Sequence, residues 1–449
     1  MSMPQHQNKG EKEDPHFISE KIKEKPHAKK KIFREGIAAI GYAVLFGFVS
    51  CLVFCWLKPV IEPWFEPEPE EWLEIPGDAE NKETQADQEN EENGKKQNSD
   101  GQSLGGTKNK EGSKKQTVYV TEKKEMNLDD YQILQNQLYR IGAEVNKSIV
   151  TVTGIKEGTD IFDSPYEATG QASGLLIADN KEELLILTEY EVILDVKSIR
   201  VTFINNDTMT AKLKKYDKNT GIAILSVPEQ KIKKETRDEI QVASLGNSRN
   251  LMQGRMIIAL GSPLGTNYSI LTGNITSVTN KITTEDHNYT VFTTNIVTNN
   301  RGNGVIANTK GEILGLFLGS SDFQKEENTL TAVSISELKD IIELLSNNRS
   351  IPYIGIKGNT VTDAISKEYD IPKGVYIREA VVDSPAMNAG LQIGDVIVEM
   401  NGRKVLTMES YQRSLLELKK GDEVKFTINR QGAEKYQKFT CRLEVGALR

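Results

Sequence analysis

The chain is poor in the residues that perform most covalent and metal chemistry. Among 449 residues there are four histidines, three cysteines and three tryptophans. The histidines are His6, His16, His27 and His287, and the cysteines are Cys51, Cys55 and Cys441. Three cysteines, two of them inside one apolar run, exclude a disulfide framework. After residue 57 only His287 and Cys441 remain, so no His/Cys metal cluster can form there, and neither a metal nor a cofactor is expected. Glycine-rich phosphate loops are lacking too, since the glycines from Gly101 to Gly112 lie in a stretch with almost no apolar residues. No serine occurs between Ser277 and Ser320. Positive charge is not in excess: the net charge is −8, which argues against a nucleic-acid binder.

What charge there is lies unevenly. Residues 1–35 carry nine Lys or Arg and six Asp or Glu, net +3, whereas residues 62–100 carry three and fourteen, net −11. Residues 101–449 are nearly balanced at net −1. Residues 36–57 hold no charge at all. At about 1.5 Å rise per residue a helix of that length spans roughly 33 Å, enough for a hydrocarbon core of about 30 Å. A core helix would show a polar face, and this run has none. A cleaved signal peptide is the alternative, disfavoured by the late start and length of the run and by the absence of a small-x-small site after it. Lys29, Lys30, Lys31 and Arg34 precede the run and place the N-terminus in the cytoplasm. The expectation is a cytoplasmic tail over 1–35 and a single-pass plasma-membrane helix over 36–57, with the folded domains extracytoplasmic. Cys51 and Cys55 share one helix face and read as apolar filling.

Residues 58–126 read as a disordered acidic linker. It opens with Glu66-Pro67-Glu68-Pro69-Glu70-Glu71, and almost no apolar residue lies between Gln85 and Thr117. No core can offset the ordering entropy there, and a coil of this length has a span of roughly 45 Å. From Asn127 the composition becomes globular. A helix is expected over 128–145, then short β-branched strands such as Ser148-Ile149-Val150-Thr151-Val152, Leu184-Leu185-Ile186-Leu187, Ile222-Ala223-Ile224-Leu225 and Met256-Ile257-Ile258-Ala259-Leu260. Short strands punctuated by Gly, Asn and Asp indicate a barrel or sandwich. Apolar positions 335, 338, 341, 342 and 345 recur at helical period and predict a closing helix.

These pieces resemble the HtrA-type trypsin-like serine proteases with C-terminal PDZ domains. The resemblance rests on Ala172-Ser173-Gly174-Leu175-Leu176-Ile177, Gly221-Ile222-Ala223-Ile224-Leu225, Ala259-Leu260-Gly261-Ser262-Pro263-Leu264-Gly265 and Leu271-Thr272-Gly273-Asn274-Ile275. It implies a mainly β chain: a chymotrypsin-like pair of barrels over 127–348, about 145–230 and 240–333, followed by a PDZ domain over 349–449. In the latter, Ser384-Pro385-Ala386-Met387-Asn388-Ala389-Gly390-Leu391-Gln392-Ile393-Gly394-Asp395 is the most specific run, and Asn401-Gly402 makes a tight turn. Tyr353, Ile354, Gly355 and Ile356 resemble the family's carboxylate-binding loop, whose N–H groups hold a peptide terminus as it adds as a strand. Tyr411 and Leu415, one helical turn apart, are candidates for lining the groove, with plain core packing as the alternative.

Serine-protease chemistry needs a hydroxyl, an imidazole to take its proton, and a carboxylate to fix that imidazole. The resemblance places the imidazole at Glu191, the carboxylate at Gly221 and the hydroxyl at one of Gly302, Asn303 or Gly304, and none of them carries the required side chain. His6, His16 and His27 precede the apolar run, and His287 in Glu285-Asp286-His287-Asn288 reads as a surface turn. The favoured expectation is a degenerate protease that binds unfolded or C-terminal peptide segments as an adaptor or sensor in envelope quality control. It would assemble as a homotrimer or with active relatives. An active envelope endopeptidase and an oligomeric scaffold without peptide ligand remain the alternatives.

Overall fold

The computed structural model describes residues 72–78, 127–159, 165–299, 301–319 and 328–448. The apolar run 36–57 lies outside them, as does most of 58–126. No helix among the described residues is long and apolar enough to cross a membrane.

Helix α1 (Leu128–Val145) starts at a capping box, in which Asn127 accepts from the Asp130 N–H and Asp130 accepts from the Asn127 N–H. Its buried residues Leu138, Gly142 and Val145 fall three and four apart, on one face. Six strands follow: β1 (Ile149–Thr159), β2 (Pro165–Asp179), β3 (Glu183–Glu189), β4 (Ser198–Thr202), β5 (Thr208–Asp217) and β6 (Ile222–Pro228). They close in the order β1-β2-β3-β6-β5-β4. After helix α2 (Lys234–Glu239) come β7 (Met256–Ser262), β8 (Ser269–Thr283), β9 (Asn288–Val297), β10 (Asn303–Ala307), β11 (Ile313–Phe317) and β12 (Thr329–Ser334). These close as β10-β11-β12-β9-β8-β7, so the expected pair of barrels is present.

The continuous apolar runs have a physical reason. Successive strand side chains point to opposite faces, and here both faces are covered. In β3, Leu184 and Ile186 fill the first barrel while Leu185 and Leu187 join the core between the barrels. In β7, Ile257 and Ala259 fill the second barrel while Ile258 and Leu260 face that shared core. Helix α3 (Ile335–Ser346) buries Ile335, Leu338, Ile341, Ile342 and Leu345 in the same core, the positions its periodicity marked.

Part of the stretch read as linker lies on α3 as a short strap. Ile75 is buried, and the Leu73 and Ile75 N–H groups donate to Asn347 Oδ1 and Glu343 Oε2 at 2.9 and 3.1 Å. Asp78 pairs with Lys339 at 2.8 Å and with Arg249 at 3.1 Å, and Arg249 also reaches Glu409 at 2.9 Å.

The C-terminal domain contains β13 (Pro352–Tyr353), β14 (Ile356–Thr360), α4 (Asp363–Tyr369), β15 (Val375–Ala380), α5 (Pro385–Asn388), β16 (Val396–Met400), β17 (Arg403–Lys404), α6 (Met408–Leu416), β18 (Glu423–Gln431), β19 (Tyr436–Glu444) and β20 (Gly446–Ala447). Its main sheet runs β14-β15-β16-β18-β19, with β17 beside β16, and β13 pairs with β20. A separate apolar core, including Ile354, Phe426 and Leu415, lies beneath α6.

Candidate functional site

Between the barrels is a cleft of about 1160 Å³. Its ionisable lining residues are Lys156, Glu189, Glu191 and Arg301. Glu191 opens a 3-10 turn (Glu191–Ile193) directly after β3 and is exposed at the cleft. Gly221 precedes β6 and reaches this turn through its backbone, its carbonyl accepting from the Tyr190 N–H at 2.8 Å. With φ at 77°, Gly221 occupies the left-handed region that L side chains rarely adopt. Beside it, Asp217 is buried and accepts from the Thr220 hydroxyl at 2.7 Å, and burial pushes its carboxyl upward.

The loop before β10 is folded on itself. The Gly302 N–H donates to the Asn299 carbonyl at 2.9 Å, and the Thr298 hydroxyl donates to the Pro263 carbonyl at 2.8 Å. A Cβ on Gly302 would run into both Thr298 Oγ1 and the Pro263 oxygen, so a hydroxyl-bearing side chain has no place there. The same turn uses the Gly302 N–H, which is therefore not available to an oxyanion. Gly304 lies within β10, opposite Gly261 and Phe317. Asn303 turns inward, where its Oδ1 accepts from the Ser173 N–H at 2.7 Å and so ties β10 to β2 across the barrels.

Around Asn303 is a polar network that sequence reasoning missed. The Ser173 hydroxyl donates to Asn267 Oδ1 at 2.8 Å, while Asn267 Nδ2 donates to Thr151 Oγ1 at 2.6 Å and to the Val150 carbonyl at 3.2 Å. Ser173 lay inside a matching run, but its place beside the cleft depends on residues 94 and 130 positions away. These groups form hydrogen bonds but do not pair a nucleophile with a base, and among the described residues no three His, Cys, Asp or Glu cluster for a metal. Thr151, Asn267 and Asn303 of this network line the cleft.

The second candidate site is at the start of β14. The N–H groups of Ile354 and Gly355 each donate to Asp286 Oδ2 at 2.7 Å, and that of Ile356 donates to Asp286 Oδ1 at 3.1 Å. The Tyr411 hydroxyl completes the set, donating to Oδ1 at 2.7 Å. Burial raises the Asp286 carboxyl against the lowering effect of these donors. Tyr353 is half-buried, and burial pushes its phenol up. Leu415 is fully buried in the domain core and is not at the groove surface. Tyr411 is also fully buried, with its hydroxyl directed at the carboxylate.

His287 corrects the expectation of a surface turn. It is only 3% exposed, because the β8–β9 hairpin end packs against the C-terminal domain. The Glu285 backbone accepts one of its ring N–H groups, its Nε2 has no partner, and burial lowers its pKa to about 4.

Comparison with known proteins agrees with this architecture. The family described as trypsin-like peptidase domain matches residues 172–316, and the family described as PDZ domain matches residues 352–439. Serine protease Do-like HtrA of Lactobacillus helveticus is 28% identical over 286 residues, covering 60% of this chain and 67% of that protein. Serine protease Do-like HtrB of Bacillus subtilis (strain 168) is 28% identical over 283 residues, covering 59% and 60%. A probable periplasmic serine endoprotease, DegP-like, of Pseudomonas fulva is 27% identical over 292 residues, covering 63% and 57%. The chain thus spans between just over half and two thirds of the length of these relatives. Among solved structures, the HtrA-type protease AlgW with a decapeptide aligns with a TM-score of 0.50 at 15% identity, over 69% of this chain and 98% of that one. At that identity the likeness is one of fold.

Proposed function

Since the chain belongs to the HtrA/DegP-type family of trypsin-like peptidases with a PDZ domain, we propose that it is a catalytically degenerate member. In this reading it holds unfolded or C-terminal peptide segments in the inter-barrel cleft and the PDZ groove, as an adaptor or sensor in envelope quality control. The observation that carries the reading is the turn at Gly302, which leaves no room for a nucleophile and uses the N–H that an oxyanion would need. Losing the members of a triad together leaves only the binding and oxyanion contributions to rate, orders of magnitude below a working enzyme. The cleft itself remains open at about 1160 Å³.

The proposal includes attachment to the plasma membrane through residues 36–57, with the folded domains outside the cytoplasm. It also includes self-association, or association with active relatives. Helix α1 leaves Leu128, Tyr131 and Tyr139 more than half exposed, apolar surface suited to another protein chain. Light scattering of the full chain in detergent gives the oligomeric state.

The deciding experiment incubates the purified full chain with unfolded casein. Retention without cleavage is expected. Cleavage that a serine-directed inhibitor abolishes would sink the proposal.

A further inference from the structure

The tip of the β8–β9 hairpin does more than join two strands. Asp286, with φ at 60°, points its carboxylate into the loop that begins β14, where three consecutive N–H groups and the Tyr411 hydroxyl donate to it. The Asp286 N–H in turn donates to the Ile356 carbonyl at 2.7 Å, the kind of main-chain bond an added strand makes. Farther along, Asn288 Nδ2 donates to the Gly358 carbonyl at 3.1 Å, and Gln412 Nε2 of α6 donates to the Asn288 carbonyl at 3.4 Å. The hairpin end therefore runs between β14 and α6. On its other edge β14 is already paired with β15, so the hairpin takes the edge that remained.

We propose that the carboxylate site of the PDZ domain is filled from within the chain. Asp286 stands where the terminal carboxylate of a peptide would bind, and the turn at residues 284–287 is a resident ligand that a carboxylate-ended peptide must displace. This rests on the reading of the groove as a peptide site. It also defines a second class of ligand for that loop: an aspartate carried on a tight turn, recognised by side-chain carboxylate and one backbone N–H instead of by a chain end.

The test uses the full chain in detergent, unaltered and as Asp286→Ala and the milder Asp286→Asn. The probes are fluorescent decapeptides ending in valine, leucine or phenylalanine with a free carboxylate, each with an amidated twin. Binding is read by anisotropy, and hydrogen exchange follows the amides of residues 354–356 and 285–288. Both variants should bind free-carboxylate peptides at least about tenfold tighter than the unaltered chain, with amidation removing the gain and the 354–356 amides exchanging faster. In the unaltered chain, saturating free-carboxylate peptide should speed exchange at 285–288 while its amidated twin does not, a readout that needs no variant. Equal carboxylate-dependent affinity in all three chains, or a bound peptide that leaves 285–288 protected, overturns the resident ligand and spares the peptide-binding reading. Freed 354–356 amides in the variants with no carboxylate-dependent binding in any chain overturn the peptide-binding reading, and the competition with it.

Discussion

Rebuilding the triad by Glu191→His, Gly221→Asp and Gly302→Ser is expected to yield an unstable protein and no protease. Glu191 is exposed, so its replacement costs little, within about 0.5 kcal/mol. Gly221 holds φ at 77°, and an L residue there costs about 1 kcal/mol. Gly302→Ser is the severe change: its Cβ meets Thr298 Oγ1 and the Pro263 oxygen, so the loop must shift and the 2.8 Å bond between those two groups must break. Overpacking costs about 1–3 kcal/mol and the lost hydrogen bond about 1 kcal/mol, giving about 3–5 kcal/mol for the three changes together. That is a large part of a typical stability of about 5–15 kcal/mol. Urea unfolding followed by far-UV circular dichroism measures the loss, and unfolded casein reports activity. Adding Thr298→Ala should restore little, because the Pro263 carbonyl remains in the way. A triple variant that unfolds at the urea midpoint of the unaltered chain, and cleaves casein in an inhibitor-sensitive manner, refutes the reasoning about the loop.

Three further outcomes follow from buried groups. His287 is held neutral, with its pKa lowered to about 4 from 6.5, so the folded chain binds fewer protons than the unfolded one between those values. Its contribution is whole above pH 6.5 and falls with acidification by up to about 1.4 kcal/mol per pH unit; His287→Gln should flatten that slope in urea melts at pH 7 and pH 5. Lys339→Met leaves the Asp78 carboxylate, its side chain 3% exposed, with Arg249 and Ser336, and should cost about 2–3 kcal/mol in thermal melts, below the figure for a fully orphaned buried charge because those partners stay and the strap can lift away. Asn303→Ala orphans the buried Ser173 N–H, and a loss of about 1–3 kcal/mol is expected by urea denaturation; an unchanged midpoint would remove its role as a tie between the barrels.

Much of this structure could be read from local pattern. The runs in β3, β6 and β7 marked strands, and the period of residues 335–345 marked α3 and its buried side; that those strands are buried on both faces came only with the second barrel beside the first. The Gly302 region was legible as lacking a serine, but its closure by Thr298 and Pro263 was not, since that depends on a carbonyl 39 positions away from the glycine. Residues 285–288 are polar and do form a turn, as read. Their burial comes from a domain whose contacting loop is 68 to 70 residues farther along the chain. The strap failed to stand out for a similar reason: with Pro and Glu around it, residues 72–78 have linker composition, and their partners, Glu343, Lys339 and Asn347 along and just after a distant helix and Arg249 before β7, are far away in the chain.

That strap changes what the acidic stretch is. Asp78 and Asn127 both belong to the folded body, so the chain is tied to it at two points 49 positions apart. Doubling the length of such a loop adds only about 0.6 kcal/mol of closure entropy. The number of residues between those two points is therefore a weak constraint on stability, while residues 72–78, held by named partners, are constrained in identity.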